Sequence, residues 1–185
     1  TVASRVWSAF ALAEMGRMNA AQDAIEECDE LLPQVSMNKQ DALWVALAAG
    51  RIAALLDNPE EVVGRLAPFA EMCETEFPVY LGRLAMSLGP ARVMLGAVDE
   101  GLDMLDRAAE VADRKPFLFL RGLLHAEHAH AMTLAGRPAA ATEAARGAVA
   151  EAERFGDAGS LAWARLRHAE ACAAMGDPGA ARVAR

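Results

Sequence analysis

Apolar residues along the chain recur with the 3.6-residue period of α-helices. Leu43, Leu47 and Ala54 fall on one side of a helical projection, and Leu102 and Leu105 do the same further along. The strict alternation of apolar and polar residues that is typical of a half-buried strand is absent. The pattern therefore predicts an all-α protein.

Glycine and proline divide this pattern into separate helices. Glycine favours the left-handed conformation that ends a helix, and proline fits the first turn of the next one. Pro90 falls inside the fifth helix, which we expect it to kink or to start late. The ten predicted helices span residues 2–15, 18–32, 39–56, 59–74, 78–95, 97–114, 116–135, 138–155, 158–175 and 178–185.

A helix-breaking turn recurs about every 40 residues. Successive turn centres are 41, 39, 40 and 40 positions apart, at Gly16, Asp57, Gly96, Gly136 and Gly176. Seven positions before each turn stands a small residue, namely Ala9, Gly50, Gly89, Ala129 and Ala169. Five positions after it, four of five residues are small: Ala21, Val62, Gly101, Ala141 and Ala181. Small residues at fixed places allow two helices to approach closely across the turn.

The repeating unit is therefore a helix, a tight turn and an antiparallel helix. A regular period of this length predicts a helical repeat array. We expect a single repeat domain over residues 1–185, with units at about 1–36, 37–76, 77–115, 116–156 and 157–185. The chain lacks an initiator methionine and ends within a helical pattern, so we expect a piece of a longer protein.

Composition excludes several classes of protein. The chain is 54% hydrophobic and contains 43 alanines, which is too apolar for a disordered tail. Three widely spaced cysteines do not make a disulfide scaffold. A formal charge of −8 disfavours binding to duplex nucleic acid. No apolar run reaches the roughly 20 residues of a membrane span, and no signal peptide is visible, so we expect a cytoplasmic protein.

The first unit resembles the tetratricopeptide repeat (TPR). Gly16, Ala21, Ile25 and Pro33 match its turn glycine, small residue, apolar residue and final proline, and Leu88-Gly89 looks like its Leu-Gly pair. The units are longer than the usual 34 residues, and most of the aromatic residues of the motif are missing. Long, alanine-rich units resemble the helical sensor region of MalT-like, LuxR-type large ATP-binding transcription regulators.

This resemblance implies a right-handed α-solenoid whose first helices line a concave groove. It implies a non-enzymatic module that binds a protein or peptide, or senses a small-molecule inducer, within a bacterial transcription-regulatory or signalling protein. No cofactor, membrane contact or direct nucleic-acid contact is expected of this segment, which has no phosphate-binding loop. The groove positions implied by the family are Phe10, Glu14, Trp44, Leu47, Arg51, Met86, His130, Trp163 and Glu170. The alternative for Trp44 and Trp163 is that they pack between adjacent units.

Two other functions stay open at this point. His125, His128 and His168 could form a metal- or small-molecule-responsive site, since His125 and His128 are three residues apart on one helix and His168 follows His128 by 40. Partly buried histidines between repeats are the alternative interpretation. The third possibility is a structural scaffold that self-associates through exposed terminal repeats.

No catalytic residue is predicted. The acidic runs at residues 26–30 and 71–76 indicate a solvated helix face, because no base or nucleophile accompanies them. Cys28, Cys73 and Cys172 lie among helical residues, and Cys172 stands between two alanines. We expect small core residues there and no nucleophiles.

Overall fold

The protein is described here by a computed structural model that covers residues 2–31, 39–114 and 121–177. Over these ranges the regular secondary structure is helical, which confirms the all-α prediction. The chain divides into two compact units, Thr1–Glu71 and Met72–Arg185. The predicted single repeat domain stays a prediction, and the predicted helix at 178–185 lies outside the described residues.

The first unit contains two helix pairs. Helix α1 (Val2–Glu14) packs against α2 (Met18–Leu31), and α3 (Lys39–Leu55) packs against α1, α2 and α4 (Pro59–Leu66). The core between α1, α2 and α3 is made of small and medium apolar side chains: Val6, Ala9, Ala13, Ala21, Ile25, Cys28, Val45, Ala48, Ala49 and Ile52. Alanine at so many core positions lets these helices lie close together.

The fourth predicted helix, 59–74, is wrong as a continuous element. Helix α4 ends at Leu66, a 3₁₀ turn covers Ala67–Phe69, and α5 covers Ala70–Thr75. Pro68 lies in that turn, and proline has no backbone N–H with which to continue the α-helical hydrogen bonds.

The second unit continues the antiparallel pattern. A 3₁₀ turn at Pro78–Tyr80 leads into α6 (Leu81–Met94), and α7 (Val98–Arg114), α8 (Arg121–Leu134), α9 (Pro138–Phe155) and α10 (Ala158–Ala174) follow. Contacts join α6 to α7, α8 to α9 and α9 to α10, and they also join the first helices α6 to α8 and α8 to α10. Pro90 is buried inside α6, where the expected kink remains a prediction.

All five predicted turn centres have the backbone conformation that the repeat requires. Gly16, Gly96, Gly136 and Gly176 have positive φ angles, and Asp57 takes the same conformation with φ of 58°. The Asn58 side chain then caps α4 by accepting a hydrogen bond from the Glu61 N–H at 3.3 Å. The 40-residue turn period is therefore confirmed in the backbone.

The small residues on either side of the turn lie where two helices meet. A Cβ atom added at Gly101 of α7 would come within 2.5 Å of the Gly89 carbonyl oxygen of α6. One added at Gly50 of α3 would lie 2.6 Å from the Leu66 Cγ atom of α4. The close approach predicted from the sequence is confirmed at these crossings. Ala181 lies outside the described residues.

Among the described helices, none combines the length and the apolar character that crossing a membrane requires.

Candidate functional site

The predicted groove residues differ in how far solvent reaches them. In the first unit, Phe10 and Trp44 are half-buried and Glu14 is exposed, whereas Leu47 and Arg51 are buried. In the second unit, Met86 is buried, and three residues are half-buried: His130, Trp163 and Glu170. The groove as a whole stays a prediction. The residues predicted to line it are therefore described separately for each compact unit.

Three aromatic rings form a cluster on α1 and α3, which we call the aromatic patch: Trp7, Phe10 and Trp44. The Trp7 ring lies 5.1 Å from the Trp44 ring and 5.9 Å from the Phe10 ring, measured between centroids, and both pairs are tilted. Phe10 and Trp44 pack against the core of the first unit. Trp7 lies over them and is 53% exposed. The core holds two rings of the patch, and the third faces solvent.

An open cleft of about 270 Å³ lies beside this patch, which we call the α1–α3 cleft. Val2, Ala3 and Val6 of α1 supply an apolar wall, and Gln40 and Asp41 of α3 supply polar groups. The Trp7 and Trp44 side chains also line it. The lining of the α1–α3 cleft is therefore mixed, with apolar and polar groups side by side.

Further along α1 and α3, Arg51 lies close to Glu14. The Arg51 Nε atom is 3.7 Å from the Glu14 Oε1 atom, and the Arg51 side chain is only 10% exposed while that of Glu14 is 50% exposed. The charge of this mostly buried guanidinium therefore lies next to a half-exposed carboxylate.

In the second unit, four charged or titratable side chains join α8 to α10, and we call them the α8–α10 network: Glu127, His130, Arg167 and Glu170. Arg167 donates hydrogen bonds to Glu127 at 3.0 Å and to both carboxylate oxygens of Glu170 at 3.0 and 3.1 Å. The His130 Nδ1 atom lies 3.2 Å from the Glu170 Oε2 atom. Glu127 with Arg167, and His130 with Glu170, are each 40 residues apart, so equivalent positions of successive repeats pair.

The network fixes the charge of Glu170. Burial is the largest influence and raises the pKa of Glu170, but the hydrogen bond with His130 and the charge and hydrogen bonds of Arg167 together lower it below its usual value. The guanidinium of Arg167 also lies 4.9 Å from the centre of the Trp163 ring, a cation–π distance. Trp163, predicted as a groove residue, is therefore packed beneath an arginine that is already bound to two carboxylates.

Two other histidines, both on α8, each face a different acidic residue. The His125 Nε2 atom lies 3.6 Å from Glu151, and the His128 Nε2 atom lies 3.5 Å from Asp106. Across residues 2–31, 39–114 and 121–177, no three histidine, cysteine or acidic side chains are placed to hold a metal ion. The arrangement of His125, His128 and His168 thus gives no support to a metal centre.

The cysteines are free and buried. Burial raises the pKa of the Cys28 thiol, and for Cys73 burial and the charge of Glu74 raise the pKa to about 11. A raised pKa keeps a thiol protonated at neutral pH, which makes it a poor nucleophile. The interpretation of these cysteines as core residues is confirmed.

The acidic runs pair with arginines at several points. Glu27 pairs with Arg5, Asp29 lies 2.7 Å from Arg65, and Glu74 lies 2.9 Å from Arg107. Ion pairing of this kind fits the structural interpretation of these helix faces.

Sequence reasoning missed Trp7, Glu127 and Arg167 as groove candidates, although a signal was available. All three stand nine positions before a repeat turn, at Gly16, Gly136 and Gly176 respectively. The offset nine before the turn therefore belongs to the same face as the predicted groove positions.

Comparison with known proteins shows the fold. No protein family model and no curated protein matches the chain. Two crystal structures do match, and both are of the nearly identical TPR-like repeats of a kinesin-light-chain-like protein from Podosopora anserina, one of them a single-residue variant. They are 18% identical in sequence, with TM-scores of 0.64 and 0.65, and the match covers 99% of this chain and 90% of each of theirs. The chain thus has a TPR-like helical repeat fold.

Proposed function

We propose that this protein is a non-enzymatic binding module whose first helices recognise a segment of a partner protein. TPR-like repeats are in general protein-interaction or scaffold modules. The observation that carries the proposal is the aromatic patch, where Trp7 is 53% exposed on top of two rings that the core holds in place. Large aromatic side chains on rigid helices are typical anchors of protein interfaces.

The proposal contains no catalytic step. Within the described residues the cysteines are buried, and His125, His128 and His130 lie 3.2 to 3.6 Å from carboxylates. A nucleophile beside a positioned base is the arrangement that a hydrolytic or transfer reaction would need.

Selection from a random peptide library displayed on phage tests this function. We expect the 185-residue chain to select binders whose affinity falls about tenfold or more when Trp7 is replaced by alanine, since an anchor residue contributes about 2 kcal/mol. Phe155→Ala is the matched control, because Phe155 is an aromatic residue that is 38% exposed at the end of α9, a helix of the other compact unit. The proposal would be contradicted if Trp7→Ala and Phe155→Ala bound the selected peptides equally well, or if the library yielded no binders above background.

The wider setting is also part of the proposal. We infer a cytoplasmic transcription-regulatory or signalling protein of a bacterium, in which the partner or a small-molecule inducer acts on the repeat array. The support is the resemblance of the long, alanine-rich unit to MalT-like regulators. The sequence of the surrounding gene tests it: a phosphate-binding loop upstream and a helix-turn-helix downstream are expected, and their absence from the whole gene would remove this setting.

A further inference from the structure

We propose that the α1–α3 cleft binds a cationic side chain, arginine or lysine, from a segment of the partner that is otherwise apolar. This inference rests on the proposed function and specifies the chemistry of the partner. It follows from the rings, the carboxylate and the overall charge that the first unit brings to this place.

Two indole rings line the α1–α3 cleft. Trp7 and Trp44 both line the cleft, with centroids 5.1 Å apart and planes inclined by 47°. Indole is the aromatic group that attracts cations most strongly, because the faces of the ring are electron-rich. Because both indole rings line this cleft, a cationic group bound in it lies within reach of aromatic side chains.

A carboxylate lies in the same cleft as the two indole rings. Of the seven described residues that line the cleft, Asp41 alone carries a charge, and Gln40 beside it adds an amide oxygen that can accept a hydrogen bond. Both belong to the first turn of α3, a rigid element packed on the core. An acidic group beside aromatic faces favours a guanidinium or an ammonium group over a neutral one.

The charge of the whole unit points the same way. Residues 1–71 contain eleven acidic and five basic residues, so most of the acidic excess of the chain lies in this unit. Several arginines of the unit lie beside acidic residues, namely Arg5 beside Glu27, Arg51 beside Glu14 and Arg65 beside Asp29. The acidic excess gives the unit a negative potential that attracts a basic partner.

The apolar part of the partner follows from the wall of the cleft. Val2, Ala3 and Val6 present hydrocarbon beside the rings, and a volume of about 270 Å³ leaves room for the methylene stem of a long side chain and for a small apolar neighbour. A basic residue flanked by apolar residues therefore matches both halves of the cleft.

Four nine-residue peptides test the inference on the intact 185-residue chain. Each has leucine and alanine flanks, blocked ends, and a central arginine, lysine, glutamine or glutamate, and their dissociation constants are measured by calorimetry. We expect the arginine peptide to bind about tenfold more tightly than the glutamine peptide, and the glutamate peptide to bind most weakly.

Matched variants locate the effect. Asp41→Asn should reduce the preference for the arginine peptide over the glutamine peptide, expressed as the ratio of their affinities, to about threefold or less. Asp23→Asn, the same change at an exposed position of α2, should leave this ratio of affinities unchanged. Trp7→Ala should weaken all four peptides. Circular dichroism shows whether each variant keeps its helices.

The possible failures differ from those of the proposed function. Equal affinity for the arginine and glutamine peptides, or a ratio that Asp41→Asn leaves intact, overturns the inference but not partner binding. If no peptide of the set binds while the phage library yields binders, the inference alone is overturned, and if neither binds, both are. A dimer that sedimentation detects and Trp7→Ala abolishes also overturns it, because a second copy then fills the cleft.

Discussion

At the scale of single residues, the buried histidine His128 responds to its surroundings most clearly. Its side chain on α8 is 11% exposed, and the Asp106 carboxylate of α7 lies 3.5 Å from its Nε2 atom. Burial lowers the pKa of His128, the charge of Asp106 raises it in part, and neighbouring His125 lowers it again, so the pKa lies below its usual value. The folded protein therefore holds this imidazole in its neutral form.

This shift predicts a loss of stability as the pH falls. Below about pH 6.5 the unfolded chain takes up a proton on His128 that the folded chain does not, so acid favours the unfolded state by up to about 1.4 kcal/mol for each pH unit. We expect the free energy of unfolding, measured in urea, to fall less between pH 7.5 and pH 5 for His128→Gln than for the wild type. His168→Gln, the equivalent position in the next repeat, is the control and should keep the wild-type decline. Parallel declines in all three proteins would contradict the prediction.

At the scale of helices, glycines set the distance between the two members of a pair. At Gly89 and Gly101 the backbones of α6 and α7 approach so closely that an added Cβ atom on Gly101 would lie 2.5 Å from a carbonyl oxygen. Backbone atoms cannot move aside as the end of a flexible side chain can, so the two helices would have to separate.

Two identical substitutions should therefore have opposite effects on stability. We expect Gly101→Ala to lower the free energy of unfolding by about 1–3 kcal/mol, because it forces α6 and α7 apart. Gly147→Ala in α9 should raise it by up to about 1 kcal/mol, since an added Cβ atom there meets nothing within 4 Å and alanine is the better helix former. Thermal unfolding measures both. A stabilising Gly101→Ala would show that the crossing relaxes easily.

The sequence predicted these elements well where local chemistry decides them. The turns at Gly16, Gly96, Gly136 and Gly176 were visible because glycine is the usual residue at positive φ. The division of the fourth predicted helix at Pro68 was missed, because a proline is compatible both with a break and with the first turn of a new helix. Only the hydrogen-bond geometry distinguishes the two.

The candidate site was less predictable, since exposure depends on neighbours that are distant in sequence. The family resemblance placed Phe10 and Trp44 among the predicted groove positions but did not show that Trp7 lies over both rings. Likewise His130 and Glu170 were identified as members of one face, while their contact requires knowing which offsets of successive repeats meet. Residues 40 positions apart contact each other in successive first helices. This rule becomes clear only after one contacting pair, such as His130 and Glu170, is known.

At the scale of the whole molecule, the chain forms two compact units, Thr1–Glu71 and Met72–Arg185. Stability in repeat proteins is close to a sum of local contributions, and the cooperativity between distant repeats is limited. Because each unit has its own core, we expect the two units to unfold at different denaturant concentrations.

The tryptophans allow the two units to be followed separately. The chain has three, of which Trp7 and Trp44 lie in the first unit and Trp163 in the second. In the variant Trp163→Phe, tryptophan fluorescence reports on the first unit. In the double variant Trp7→Phe, Trp44→Phe, it reports on the second unit. We expect the two variants to give different unfolding midpoints in urea. Circular dichroism of the same samples should span both transitions. Coincident curves from all probes would indicate one cooperative unit.

The α8–α10 network has a consequence for how such an array evolves. Arg167 and Glu170 occupy the same offsets before their turn as Glu127 and His130 do before the preceding turn, so these two neighbouring repeats carry complementary ionic side chains. A gene duplication that copied the fifth repeat in tandem would set arginine opposite arginine and glutamate opposite glutamate, at half-buried positions where like charges repel. The ionic side chains at this boundary therefore constrain which repeat can follow the other. Unequal recombination within the gene would be selected against there.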